Sequence, residues 1–196
     1  MCVSFIALCV LFLQSLLFSL CLCASVVQSL LCLSAAKLHM AHLIGIPDLA
    51  ATEVFGRKLG ELLFPGAVIA LVGQLGAGKT HLTRAIAEGL GVANPVAVNS
   101  PTFVLIQEYP ARLPIAHFDA YRLAGAREFA DLGVDEYFNG NGVCIVEWAD
   151  KVEATLPAAH LRIKIEIVDE NRRAFEVTAF GERYEELLSK LFGAPS

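Results

Sequence analysis

One octapeptide has the residue types and spacing needed to bind phosphate. Residues 73–80 read GQLGAGKT and fit the pattern G-x-x-x-x-G-K-[ST]. The glycines allow successive backbone N–H groups to turn inward around phosphate oxygens, and a helix beginning at Lys79 would point its positive end at the same anion. Lys79 is then placed to reach the β- and γ-phosphates, and Thr80 offers a hydroxyl to Mg²⁺. The pattern predicts a phosphate-binding loop (P-loop) for a nucleoside triphosphate.

A P-loop site also needs a carboxylate near the metal, usually at the end of a neighbouring strand. Glu147 ends the apolar run VCIVE, at the sheet edge where phosphates bind. The alternative is an ordinary surface glutamate. Asp119, in HFDAYR, is a second candidate that would hold a metal-bound water or orient the attacking water. The alternative for Asp119 is a helix N-cap or an ion pair with Arg122.

Three more residues lie near these groups in sequence. Thr102, in the stretch SPTF, would contact the γ-phosphate and Mg²⁺ as a switch threonine, or else the stretch is only a proline-directed turn. His117 and Trp148 flank the two carboxylates. Because a single His or Trp beside a buried strand can serve packing as well as chemistry, the sequence leaves both roles open.

The elements that must position these residues follow an α/β pattern. Residues 67–72 predict a strand buried on both faces, directly before the P-loop. Further strands are predicted at residues 96–99, 103–108, 115–119, 143–146, 161–167 and 174–180. Helices are predicted at residues 48–63, from Lys79 for about three turns and at 183–192, and residues 127–138 are predicted to contain helical turns. We expect a single three-layer domain with a mixed sheet over residues 40–196.

The first 39 residues form an apolar leader of a different composition. Residues 1–36 contain no charged side chain and hold five of the six cysteines, so the cysteines indicate neither a disulfide framework nor a zinc site. Such a run is a candidate transmembrane helix, or a targeting segment that lacks a basic start. The interpretation we favour is a start codon assigned too early, with the protein beginning at Met40.

Composition excludes several classes of protein. The chain has 196 residues and a formal net charge of -5, which argues against binding nucleic acid by bulk positive charge. A hydrophobic content of 56% excludes a disordered or collagen-like chain. The sequence contains no N-K-x-D stretch, which disfavours a Ras-like GTPase.

Four motifs in this order, GQLGAGKT, NSPTF, HFDAYR and VEWAD, resemble the TsaE family (also called YjeE). These are small P-loop ATPases of tRNA threonylcarbamoyladenosine biosynthesis. The likeness runs from Thr52 to Arg173. A P-loop alone is generic, whereas the SPTF, HxDxYR and EW elements at these intervals are specific. Family members normally begin without an apolar leader, which supports a start at Met40.

The resemblance implies ATP and Mg²⁺ as cofactors and assigns a role to each motif residue. Lys79, Asp119 and Glu147 would be catalytic, and Thr80 and Glu147 would be the Mg²⁺ ligands. Thr52 would lie near the base. The full predicted nucleotide-binding set is Thr52, Gly73, Gly76, Ala77, Gly78, Lys79, Thr80, His81, Thr102 and Arg173.

The resemblance also implies partners. TsaB and TsaD would transfer the threonylcarbamoyl group to the adenosine beside the anticodon, and hydrolysis by this chain would reset their complex. Contact with tRNA would be indirect, and the supply of ATP favours the cytoplasm.

Two other functions stay open on the sequence alone. One is a P-loop kinase for a small hydroxyl substrate, with Asp119 as general base. The other is a non-catalytic, nucleotide-dependent scaffold, tethered to a membrane by residues 1–36.

Overall fold

The computed structural model describes residues 41–193. The predictions for the apolar leader at residues 1–39, and for a domain start at Met40, lie outside these residues and stay predictions. Within residues 41–193, no helix is both long enough and apolar enough to cross a bilayer.

The centre of the fold is one mixed sheet. Its strands, in chain order, are β1 (Ala41–Ile46), β2 (Val68–Val72), β3 (Ile106–Tyr109), β4 (Ile115–Asp119), β5 (Val143–Glu147), β6 (His160–Ile167) and β7 (Arg173–Phe180). They lie side by side in the order β1-β7-β6-β2-β5-β4-β3. The four central strands β6, β2, β5 and β4 are parallel, and the outer strands pair antiparallel. The carboxyl ends of β2, β4 and β5 therefore meet at one edge.

Helices cover both faces of this sheet. They are α1 (Leu49–Leu62), α2 (Lys79–Gly89), α3 (Ala126–Ala130), α4 (Val134–Phe138) and α5 (Glu182–Phe192). Ile69 and Leu71 of β2 pack in one core with α1, α2 and α5, whereas Val68 and Ala70 pack in the other core with α3 and α4. Successive side chains of a strand point to opposite faces, so a fully apolar β2 fills both cores. The predicted three-layer α/β fold is confirmed.

The same alternation decides which polar residues share a face. Ile115 of β4 and Ile145 of β5 belong to the core beneath α1 and α2. Because side chains two residues apart point the same way, His117, Asp119 and Glu147 face that side as well. Asp119 and Glu147 are direct partners in the parallel pairing of β4 with β5. Three titratable groups are thus brought together beside the start of α2.

Helices α1 and α2 approach each other through glycines. A Cβ atom added at Gly60 would lie 2.3 Å from the backbone oxygen of Ile86, and one added at Gly89 would lie 2.1 Å from the backbone oxygen of Arg57. Both distances are far below van der Waals contact, and a backbone oxygen inside a helix moves only with its helix. The glycines therefore set the distance between the two helices.

Two predictions of secondary structure are corrected, and one strand was missed. Residues 96–99 are not a strand: Pro95–Ala97 is a 3-10 turn, consistent with a proline that fixes φ. The strand predicted from residue 103 begins only at Ile106, because residues 101–105 fold into a turn in which Leu105 N donates to Pro101 O at 2.6 Å. β1 was not predicted. It lies at the sheet edge in mostly half-exposed positions, so no buried apolar run marks it.

Replacing Gly60 with alanine is expected to lower the free energy of unfolding. Alanine favours the helix by about 1 kcal/mol, but overpacking against a fixed backbone costs about 1–3 kcal/mol or more. Thermal unfolding should show a Tm lower by several degrees. Gly45→Ala is the control, since a Cβ at Gly45 meets nothing within 4 Å. An unchanged Tm for Gly60→Ala would mean that the helices separate at no cost.

Candidate functional site

The loop between β2 and α2 has a conformation that only glycine adopts easily at two points. Gly76 has a φ of 79°, and Gly78, directly before the first residue of α2, has a φ of 108°. An L-residue with a side chain is strained in this region. The glycines of the GQLGAGKT motif therefore turn the chain sharply, so that α2 begins at Lys79 with its N-terminus toward the cleft.

Lys79 lies folded over the loop that precedes it. Its Nζ donates hydrogen bonds to Gly73 O at 2.6 Å and Gln74 O at 3.1 Å, and lies 3.5 Å from the centre of the Trp148 ring. Burial lowers the pKa of the Lys79 ammonium group below its usual value. The carboxylates of Glu147, Asp119 and Asp150 act in the opposite direction and offset part of this change.

Glu147 is a buried carboxylate surrounded by hydrogen-bond donors. Thr80 Oγ1 donates to Glu147 Oε2 at 3.0 Å, and the buried His117 Nε2 lies 2.8 Å from Glu147 Oε1. Thr83 Oγ1 is 3.4 Å from the same Oε1. Burial of a charged group is tolerated when such partners are present. Glu147 is therefore fixed at the N-terminus of α2.

Thr80 and Glu147 form a donor set that suits Mg²⁺. Within residues 41–193 no group of three or more His, Cys, Asp or Glu side chains is arranged to hold a metal. Mg²⁺ is typically bound by one or two protein oxygens together with phosphates and water. Two ligands on adjacent octahedral corners at 2.0–2.1 Å lie about 2.9 Å apart. The 3.0 Å separation of Thr80 Oγ1 and Glu147 Oε2 matches that spacing.

Asp119 binds the segment between α2 and β3. Its Oδ2 accepts hydrogen bonds from Ser100 Oγ and from Thr102 Oγ1, the latter at 2.7 Å, and its Oδ1 accepts one from Tyr121 N at 2.8 Å. The Arg122 guanidinium lies over the Phe103 ring, with its Cζ 4.3 Å from the ring centre. Asp119 therefore holds residues 100–102 against the end of β4.

Two pockets adjoin the loop, and Gly78 and His81 line both. The larger pocket, about 420 Å³, contains the groups already described: Lys79, Thr80, Thr102, Asp119, Glu147 and Trp148. We call it the phosphate pocket. The other, about 260 Å³, is lined by Thr52, Ala77, Arg173 and the turn between β6 and β7. We call it the side pocket. Of the predicted site residues, all but Gly73 line one or both of these pockets.

Arg173 connects the side pocket to the loop. Its Nε donates to Ala77 O at 3.1 Å, and its Nη1 donates to Asp169 O at 2.9 Å. Thr52 is buried on α1, with its Oγ1 3.4 Å from Asp48 O. His81 lies with its Nε2 3.4 Å from Glu53 Oε1. Arg173 thereby bonds the β6–β7 turn to the P-loop backbone.

Sequence reasoning left the contacts of His117 and Trp148 undecided. His117 is two residues before Asp119, and strand alternation was the signal that places it on the same face as Glu147. Trp148 follows Glu147 with a φ of 59°, an uncommon conformation for a bulky residue, and directs its ring at Lys79. No sequence pattern specifies that conformation. Both residues contact members of the predicted site.

Comparison with known proteins identifies the family of this chain. The family model described as "Threonylcarbamoyl adenosine biosynthesis protein TsaE" matches residues 46–175. The chain belongs to the TsaE family. A Bacillus subtilis protein named tRNA threonylcarbamoyladenosine biosynthesis protein TsaE is 49% identical over 141 residues, covering 71% of this chain and 87% of that protein. A Streptomyces coelicolor protein of the same name is 42% identical, covering 66% and 90%.

A solved structure supports the same assignment. The crystal structure of YdiB from Bacillus subtilis superimposes with a TM-score of 0.67 at 36% identity, covering 80% of this chain and 97% of YdiB. The matched region of the family model contains every predicted site residue from Thr52 to Arg173. The family predicted from the four sequence motifs is confirmed.

Replacing Asp119 with alanine is expected to release residues 102–105. A hydrogen bond to a charged group contributes about 1.5–3 kcal/mol, and the variant loses the acceptor for two hydroxyls. Amide hydrogen exchange at Val104 and Leu105 should accelerate at least about tenfold. Glu108→Ala removes an exposed β3 carboxylate that accepts a hydrogen bond from Tyr137, and it should leave these rates unchanged. Equal rates in wild type and Asp119→Ala would contradict this role.

Proposed function

We propose that this chain is a Mg²⁺-dependent, ATP-hydrolysing accessory protein in the formation of threonylcarbamoyladenosine on tRNA. One observation carries the proposal: a P-loop lysine, the threonine after it and a buried glutamate from a neighbouring strand meet at the N-terminus of α2. This arrangement suits a metal-bound triphosphate. Membership of the TsaE family supports tRNA modification as the process that uses it.

The phosphate pocket binds the triphosphate in this proposal. Backbone N–H groups of residues 73–80 surround the phosphates, and Lys79 leaves its own loop carbonyls to bind the β- and γ-phosphates. Thr80 and Glu147 would hold Mg²⁺, which would supply charge neutralisation at the phosphate oxygens. The catalytic effect is positioning together with charge neutralisation, as is typical of phosphoryl transfer.

We assign the attacking water to Asp119. Both carboxylates have hydrogen-bond partners at both oxygens. The partners of Glu147 include the buried His117, whereas Asp119 Oδ2 is bonded to hydroxyls of a segment whose next side chains, Phe103 and Val104, are exposed. Orientation of a water by Asp119 would compete with its bonds to Ser100 and Thr102. Hydrolysis would then change the position of the SPTF segment, with Thr102 as the switch residue.

The side pocket receives the base and sugar. It continues from the phosphate pocket past Gly78 and His81, so one nucleotide can occupy both. Thr52 and Arg173 both line it. The start of α1 lines it too, and the first turn of that helix is capped by Asp48: Ala51 N donates to Asp48 Oδ1 at 2.8 Å.

The partners in this proposal are TsaB and TsaD, which carry out the transfer to adenosine, so that contact with tRNA is indirect. The chain works in the cytoplasm, where ATP is available. We expect weak hydrolysis by the chain alone and faster hydrolysis in the complex, because a partner can supply an arginine finger. The change in the SPTF segment resets the complex between turnovers.

Lys79→Ala is expected to reduce ATP turnover in a mixture with TsaB and TsaD to below about 1% of wild type. Removal of one preorganised charge-stabilising donor costs about 10²–10³ in rate. Phosphate release is the measurement. Lys164→Ala is the matched control, because Lys164 is paired with the exposed Glu166 on β6.

Retained turnover in Lys79→Ala would contradict the proposal. Analysis of the products separates it from the two other functions: radiolabelled γ-phosphate that moves to an added small alcohol instead of water would identify a kinase. Tight ATP binding with no hydrolysis, even with both partners present, would identify a scaffold.

Arg173→Ala is expected to weaken ATP binding about tenfold or more, because the β6–β7 turn loses a charge-assisted bond to the P-loop. Trp148 is the single tryptophan of the chain and lies in the phosphate pocket, so its fluorescence reports binding. Arg172→Ala is the control, since the Arg172 side chain pairs with the exposed Asp169 of the turn. Equal affinities of the two variants would rule out a role for Arg173.

A further inference from the structure

We propose that His117 is a positioning residue: it binds one oxygen of Glu147 so that the other is presented to Thr80 and to Mg²⁺. The proposal rests on the proposed function, because it concerns the same metal ligands. It adds a residue that itself touches neither the nucleotide nor the cleft.

The first observation is the completeness of burial. His117 has no exposed surface, and the side chain of Glu147 is 3% exposed. The 2.8 Å contact between His117 Nε2 and Glu147 Oε1 is therefore formed away from water. A charge-assisted bond in such surroundings is stronger than one in solvent and has a fixed direction.

The second observation is the lack of a substitute donor for Oε1. Thr83 Oγ1 is 3.4 Å from Glu147 Oε1, but the same hydroxyl is 3.1 Å from Lys79 O. A hydroxyl has one hydrogen to donate. The closer carbonyl of its own helix is the better acceptor, so His117 is the principal donor to Oε1.

The third observation concerns the other ring nitrogen. His117 Nδ1 is buried, and the structure gives it no hydrogen-bond partner within residues 41–193. An unpartnered buried polar atom costs about 1–3 kcal/mol. A histidine that served only to pack would destabilise the fold by this amount. In a histidine that orients Glu147, the hydrogen bond of Nε2 offsets the loss at Nδ1.

The geometry explains what the bond achieves. A carboxylate rotates freely about its last torsion. Unless one of its oxygens is bound, either oxygen, or neither, can face a metal. With Oε1 bound to His117, Oε2 is the oxygen 3.0 Å from Thr80 Oγ1. Partners that orient metal ligands in this way typically contribute 10- to 100-fold to metal affinity.

The test compares the dissociation constant for ADP in EDTA with that in excess Mg²⁺, both from Trp148 fluorescence. The ratio of the two constants measures the contribution of Mg²⁺ to binding and requires no turnover. We expect a large ratio for wild type and a ratio about 10- to 100-fold smaller for His117→Ala, with an unchanged constant in EDTA.

Two other variants separate positioning from packing. His117→Gln should keep most of the wild-type ratio, since its amide N–H₂ reaches the place of Nε2. His117→Asn, one methylene shorter, should lose it. The Gln–Asn comparison also decides the question if His117→Ala does not fold. His160→Ala is the matched control, because it removes another buried histidine, one stacked on Phe180. His160 begins β6 beside the start of β2, whereas the P-loop follows the end of β2.

A measurement on the wild-type protein needs no substitution. The ¹⁵N resonance of His117 Nε2 should shift when Mg²⁺ is added to the ADP complex, and that of His160 should not. The inference is overturned if His117→Ala or His117→Asn keeps the wild-type ratio, or if the resonance does not move. A wild-type ratio near one would instead refute the Mg²⁺-dependent function, and the inference with it.

Discussion

The arrangement of this site depends on a buried carboxylate that must be hydrogen-bonded and pointed in one direction. Glu147 ends a strand that is buried along its full length, so little of its side chain is open to water. The donors come instead from two other elements: Thr80 from α2 and His117 from β4. Three elements meet at this one side chain, and their relative positions are fixed by its requirement for hydrogen bonds.

The P-loop supplies one of the hydrogen-bond donors that Glu147 requires. Its left-handed glycines bring the N-terminus of α2 to the end of β5, which places Thr80 within hydrogen-bond distance of Glu147. Lys79, the preceding residue, is directed back over the loop and against Trp148. A negative group at Glu147 and a positive group at Lys79 thus lie at adjacent positions of one pocket. This is the charge pattern that a metal-bound phosphate complements.

Much of the fold could be predicted from sequence, since apolar runs mark β2, β4 and β5 and a glycine-rich motif marks the turn into α2. The edge strand β1 could not, because half-exposed residues carry no strong pattern. The sequence motifs named most of the residues that line the two pockets. They did not predict the contacts of His117 and Asp119, because these contacts depend on strand register: Asp119 pairs with Glu147 only because β4 lies beside β5. The left-handed backbone of Trp148 is set by tertiary packing.

The distribution of close contacts indicates which part of the site can move. Helix α2 is held against α1, because glycines in both helices bring their backbones close together. The side pocket is bonded to the loop through Arg173. The segment that follows α2 is different: Phe103 and Val104 are 82% and 65% exposed, and hydrogen bonds to Asp119 hold the residues just before them. Few buried apolar contacts and a small number of breakable bonds are the marks of a segment that opens at low cost. A ligand that competes for Asp119 therefore acts on this segment first, while the P-loop stays in place.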